Sequence, residues 1–354
     1  MREQFQTMKN NRVAWIDYMS GIGTLMVFMQ HACVPLITRI ILGFHMPLFF
    51  WISGFLYQQN NSYNKPFGKY IKSRTIRLLV PYLLWFVIDK GQAFLMKGMD
   101  QPLVFAKEVL KSFLYCYSWF LPCLFLSEMV FHIINKKMVR LEGNGRSIAL
   151  GGCAILFWIL SWIENVVNPN RAVFCLDTCL MALGFMFFGS VSVQIMKVLK
   201  EYNSRVVAFE MVGVAGVGVF CIMLNGKNNA NFMMYQNQYG NYVFAIIGAS
   251  SLIFALYFAV NLFERYLPKR YLQYLRENGI LLFLVHIPII TMVKELIPVI
   301  NTMSAWTSSI ICLVAIHIIG FPTCYVINKW FPLLAGKQRS SHRKEGSMFF
   351  SINK

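Results

Sequence analysis

Charge is what this chain has least of. Only 14% of its 354 residues are Asp, Glu, Lys or Arg, against about 25% in soluble domains. That is too little to cover a water-facing surface, which argues against an ordinary soluble protein. Acids are scarcer still: 15 Asp and Glu stand against 33 Lys and Arg, a formal net charge of +18. No CxxC pair occurs among the nine cysteines, and Cys123, Cys153, Cys179, Cys221 and Cys312 sit inside apolar runs. They read as small buried hydrophobes, so neither a disulfide framework nor a metal site is expected. The first apolar run lacks a small-residue cleavage site, so MREQFQTMKNNR is not read as a removable leader. No internal repeat is visible.

What fills the chain instead is apolar sequence, 57% of all residues. Apolar runs of roughly 20 residues, long enough to cross a bilayer as helices, lie near 13–32, 36–57, 78–96, 113–134, 148–164, 172–192, 206–224, 241–263, 279–298 and 306–328. The expectation is an all-α, polytopic transmembrane bundle of about ten spans, one domain over 1–335, followed by a basic tail at 336–354. The gaps decide the orientation. Lys65, Lys69, Lys72, Arg74 and Arg77 fill one gap, Lys136, Lys137, Arg140 and Arg146 another, and every second gap is basic in this way. By the positive-inside rule both termini are cytoplasmic, in a multi-pass protein of the cell (inner) membrane. Placed so, the cations serve topology and lipid contact, and nucleic acid is not expected as a partner; RSSHRKEG (339–346) reads as a lipid-facing tail.

The first span carries a polar stripe. Asp17, Thr24 and His31 recur every seven residues, nearly two helical turns, so they share one face. Ser20 lies on the same side. At 1.5 Å per residue, Asp17 and His31 stand roughly 21 Å apart along the axis, one near each membrane surface. The stripe reads as one wall of a polar path, or as hydrogen-bonding glue between helices. His45 opens the returning second span and so can face His31. An imidazole in lipid is costly, which makes both rings candidates for function. Pro47 either kinks that span or starts its regular part. Gly54 and Ser53 permit close helix contact.

Five segments carry a family resemblance. IDYMSGIGTLMVFMQH (16–31), FHMPLFFWISGFLY (44–57), SRTIRLLVPYLLW (73–85), YSWFLPCLFLSE (117–128) and RENGILLFLVHIPI (276–289) resemble, in order, the motifs of the acyltransferase-3 family of integral-membrane O-acyltransferases, in particular fucose 4-O-acetylase-like sugar acetylases. HMPLFFWISGF is the specific one. The resemblance implies transfer of an acyl group, usually acetyl, from acetyl-CoA to a carbohydrate hydroxyl on a cell-surface polysaccharide or lipid-linked glycan. It puts His31 at the essential position and His286 in the site. It also exposes a departure: where the family has Arg or Lys eleven residues before the histidine, a cation thought to help hold the donor, this chain has Ser20.

Acyl transfer needs a base for the hydroxyl proton and donors for the oxyanion. Imidazole, with an ordinary pKa near 6.5, suits the first task, and His31 is assigned as general base, with transient acyl carriage as the alternative. His45 either donates to the oxyanion or holds the acceptor. Arg74 and Arg77, at the cytoplasmic start of span three, match the phosphates of coenzyme A and equally serve as topology anchors. Trp119 offers a sugar-stacking face or an interfacial anchor, the latter read for Trp162 too. Asn278, at the start of span nine, is a candidate substrate contact, as is His286, which equally reads as a packed ring. Glu128 and His132, four apart, read as mutual partners; Asp177 needs one, and His317 reads as structural. Two other readings stay open. One is a transporter or flippase of a small solute or lipid-linked glycan; the other is a non-catalytic relative.

Overall fold

The computed structural model describes residues 14–35, 37–95, 102–141, 143–168, 170–199, 204–225 and 232–338. Most of the basic tail, from residue 339 on, lies outside the described residues, as do Arg2, Lys9 and Arg12. All ten apolar runs are helical. They appear as α1 (Ala14–His31), α2 (Thr38–Gln59), the pair α3 (Phe67–Arg74) and α4 (Val80–Ala93), α6 (Phe120–Lys137), α7 (Gly143–Val167), α8 (Leu176–Leu199), α9 (Ser204–Asn225), α10 (Tyr242–Leu262), α12 (Gly279–Leu296) and α13 (Ala305–Trp330). α3 precedes its run, and two further helices connect the runs: α5 (Pro102–Leu114) and the basic α11 (Lys269–Glu277). Among the described residues the only β pairing is a single bridge, Met233 with Gln238.

Six of the ten segments are long and apolar enough to cross a membrane by that criterion alone: 38–59, 144–167, 173–197, 242–262, 279–296 and 305–330. Of the other four, α9 is apolar over Phe209–Asn225 but shorter, and the remaining three are broken or diluted by polar residues. α1 carries its stripe, and α6 carries Glu128 and His132. The third span is interrupted by a π-helical turn, Thr75–Leu79, in which the Val80 amide reaches back to the Thr75 carbonyl. Pro81 follows. It has no N–H to give the Arg77 carbonyl four residues earlier, so the regular α ladder cannot run through this turn. By contrast α2 runs straight through Pro47, which lies inside the helix.

Lipid contact is legible on α7. Ile148, Ile155, Ile159, Trp162 and Val166 are all exposed and fall on one helical face. In water that stripe would be a liability; in hydrocarbon it is the expected surface. Inside, small residues set the spacing. Gly54 of α2 lies against the Met186 backbone of α8, and Gly189 of α8 against the Trp51 carbonyl of α2, so a Cβ at either site would strike main chain. Ser190 donates to the Gly54 carbonyl (3.1 Å) and Trp51 donates to Ser192 (3.0 Å). Gly21 of α1 meets the Leu272 backbone of α11 in the same way. All nine cysteines are free thiols, with Cys123 and Cys179 packed Sγ to Sγ at 3.7 Å.

Candidate active site

Two cavities follow the polar stripe of α1. The first, about 440 Å³, lies at the end of the bundle where α1 begins. Ser20 and Thr24 line it, with Ser53 and Tyr57 from α2, Glu128 from α6, and five cations: Lys65, Lys69, Arg74, Arg77 and Arg276. The second, about 380 Å³, lies at the other end of α1, lined by Gln30, His31, His45, Tyr117, Ser118, Trp119 and a loop over Phe232–Tyr235. Val27 and Phe283 line both cavities, so the two meet at a wall made of these residues. Antiparallel helices explain the sorting: α2 places one end in each cavity, as α1 does in the reverse sense, while α6 lines the first cavity and the turn just before it, Tyr117–Trp119, lines the second.

The cations of the first cavity differ in how they are held. Arg74 pairs with Glu128 (Nε–Oε2, 2.9 Å), and Ser53 donates to the other oxygen of that carboxylate (2.6 Å). Arg276 pairs with Asp17 (3.0 Å). Arg77 has no ion pair among the described residues and its side chain is open to the cavity. With one carboxylate against five cations on the wall, the cavity is suited to a multiply charged anion. Glu128 and His132 are therefore not partners, against the reading from their spacing. His132 instead hydrogen-bonds Tyr57 (2.7 Å) and stacks on Tyr70 (4.3 Å), because the nearby Arg74 is the stronger partner for a carboxylate. Asp177 finds Arg171 (3.2 Å), and His317 bonds Tyr271 and the Leu313 carbonyl.

The second cavity has a different chemistry. His31 is half-buried on its wall. Its ring neighbour is His286, 4.8 Å between centroids, rather than His45 as the sequence suggested. His45 does reach the same cavity from α2. Both supporting imidazoles are fixed by their own helices: His45 Nδ1 donates to the Ile41 carbonyl (2.7 Å) and His286 Nδ1 to the Leu282 carbonyl (3.1 Å). A carbonyl only accepts, so each ring carries its proton on Nδ1 and keeps Nε2 as an acceptor. His286 Nε2 is buried with no hydrogen-bond partner among the described residues.

Trp119 lines the second cavity. Asn278 lines neither: its side chain donates to the Tyr274 carbonyl (3.0 Å) and accepts from Asn328 (2.8 Å), which ties the start of α12 to α13. It is a joint between helices, and its neighbour Gly279 lies on the cavity wall instead. Two contributors were missed in the sequence. Arg276 reads there as one more basic anchor, and only the folded chain carries it to Asp17. The loop around 232–241 carries no motif, yet polar side chains pin it from three helices. Thr178 donates to the Met234 carbonyl (3.0 Å), Asn165 to that of Asn237 (2.7 Å) and Asn225 to that of Tyr239 (2.9 Å). The cluster of Asn residues was the available signal.

The acyltransferase domain model of the acyltransferase-3 family matches residues 13–327. The chain belongs to the acyltransferase-3 family. As a member it is a membrane acyltransferase, and both cavities lie wholly within the matched residues. No curated protein and no solved structure matches the chain.

Proposed function

We propose that this acyltransferase moves an acyl group, acetyl in the simplest case, from acyl-CoA in the arginine-lined cavity to a carbohydrate hydroxyl in the histidine-lined one. The observation that carries the reading is the meeting of the two cavities at Val27 and Phe283. A slim pantetheine arm suits such a junction, with the phosphates left behind among Arg74, Arg77 and Arg276. The cation that the family has at Ser20 is missing, and these three arginines supply positive charge in the cavity that Ser20 lines. Aromatic faces at Tyr117, Trp119 and Tyr235 suit a sugar ring, and Gln30 and Ser118 can bond its hydroxyls. The fucose 4-O-acetylase-like pattern of the sequence favours a glycan acceptor, polymeric or lipid-linked.

In this mechanism His31 takes the proton of the acceptor hydroxyl as its oxygen attacks the thioester carbonyl. The tetrahedral intermediate collapses with loss of the coenzyme A thiolate, which receives that proton from His31. The sum is acyl-CoA and alcohol to ester and free thiol. With substrate bound, the free Nε2 of His286 would accept an N–H of the neighbouring His31 and so fix the nitrogen that stays basic. His45 has spent its N–H on Ile41, so of the two roles considered for it, accepting a hydrogen bond from the acceptor sugar is the one its tautomer supports. The positive-inside pattern puts the arginine cavity in the cytoplasm, where acyl-CoA is made, and the acceptor then arrives at the opposite surface or laterally from the bilayer.

Membranes carrying the chain, given radiolabelled acetyl-CoA and candidate glycans, should label the glycan. His31→Ala should lose that label while the protein stays folded in the membrane. Uptake of glycan without label transfer would favour a transporter instead.

A further inference from the structure

Among the described residues, Arg77 is the arginine of the donor cavity that no carboxylate holds, so something else must aim it. Its main chain sits in the π turn Thr75–Leu79, and Pro81 withholds the amide that an α-helix would send to the Arg77 carbonyl. Against that carbonyl lies Gly336. It has φ +68°, in the left-handed region, and a Cβ added there would run into the Arg77 carbonyl oxygen. Only glycine meets both demands without strain. Gly336 ends a short 3₁₀ turn, Pro332–Ala335, closed by the Gly336 amide on the Leu333 carbonyl (3.1 Å) and the Lys337 amide on that of Pro332 (2.9 Å). Trp85, two helical turns past Arg77, donates its indole N–H to the Leu334 carbonyl (3.1 Å). Ala335 is buried. The segment thus holds the third span at two points, Arg77 within the π turn and Trp85 beyond it in α4.

We propose that residues 332–336 are a positioning strap that holds the π turn so that Arg77 faces the donor phosphates. This rests on the donor reading above and extends it to residues outside the family match, which ends at 327. The strap touches no substrate; it acts through the Arg77 backbone. It also gives the π turn a purpose, since a regular helix would need no external brace.

The test uses the full-length protein in detergent or nanodiscs, with coenzyme A as the probe and two readouts. In Gly336→Ala, Kd for coenzyme A should rise about tenfold, the size of one lost charge-assisted contact, while kcat at saturating donor stays near wild type. Trp85→Phe keeps the ring and removes one hydrogen bond, and should raise Kd about threefold. In an Arg77→Ala background, Gly336→Ala should add nothing, because both changes remove the same contact. Independently of any ligand, amide exchange over 75–82 should quicken in Gly336→Ala. Unchanged exchange and affinity in Gly336→Ala, or a full additive penalty in the Arg77→Ala background, would overturn the strap. Failure of coenzyme A to bind wild type would overturn the donor reading instead, and the exchange readout would still decide whether the strap braces the turn.

Discussion

The arginine end and the histidine end of α1 solve opposite problems. At the arginine end, charge must be gathered without letting it disrupt the bundle. Two of the three arginines there are held by buried carboxylates, Glu128 and Asp17, and the third is left open to the cavity. At the histidine end, neutral rings must be kept in one tautomer. Backbone carbonyls of α2 and α12 do that, each four residues before its imidazole. The difference teaches that the charged groups of the first cavity are set by contacts distant in sequence, whereas the His45 and His286 rings of the second are each fixed within a single helix. Substitutions at the two ends should therefore fail differently.

The largest effect is expected at the histidine end. His31→Ala should lower kcat by roughly 10²- to 10⁴-fold, the range of a removed general base, with Kd for coenzyme A unchanged. Measuring both constants on one preparation separates the two cavities. Next comes Arg77→Ala, with donor KM raised about 10- to 100-fold through loss of charge-assisted phosphate contacts. Acceptor KM should not move. If it rose equally, the two cavities would not be separate donor and acceptor sites. Glu128→Ala should cost about 2 kcal/mol of stability by stranding Arg74, seen as a lower unfolding temperature. Trp119→Ala should produce the smallest change, roughly a three- to tenfold rise in acceptor KM from lost ring contact.

The same contrast governs what could be read in the sequence. The stripe at 17, 24 and 31 was legible because helical period alone puts those residues on one face, and the stripe does lead from one cavity to the other. Arg74 and Arg77 were legible through their place at the basic start of a span. His286 came through resemblance alone, and the structure adds that it, not His45, is the ring beside His31. Pairings set by tertiary packing could not be seen. The spacing of Glu128 and His132 pointed to each other, yet each found a better partner on another helix. Arg276 looked like an anchor until α1 and α11 packed at Gly21. Asn278 was a candidate within the resembling segment 276–289, but at the start of α12 it serves as a joint to α13. The pinned loop at 232–241 has no periodicity to reveal it.

In the proposed mechanism donor and acceptor enter from opposite faces and meet at Val27 and Phe283. Proteoliposomes of one orientation test it directly, with membrane-impermeant labelled acyl-CoA on one side and a soluble glycan acceptor on the other. Labelled glycan is expected only when acyl-CoA is on the arginine side and glycan on the histidine side. Transfer with both reagents confined to one side, and none when they are opposed, would contradict it.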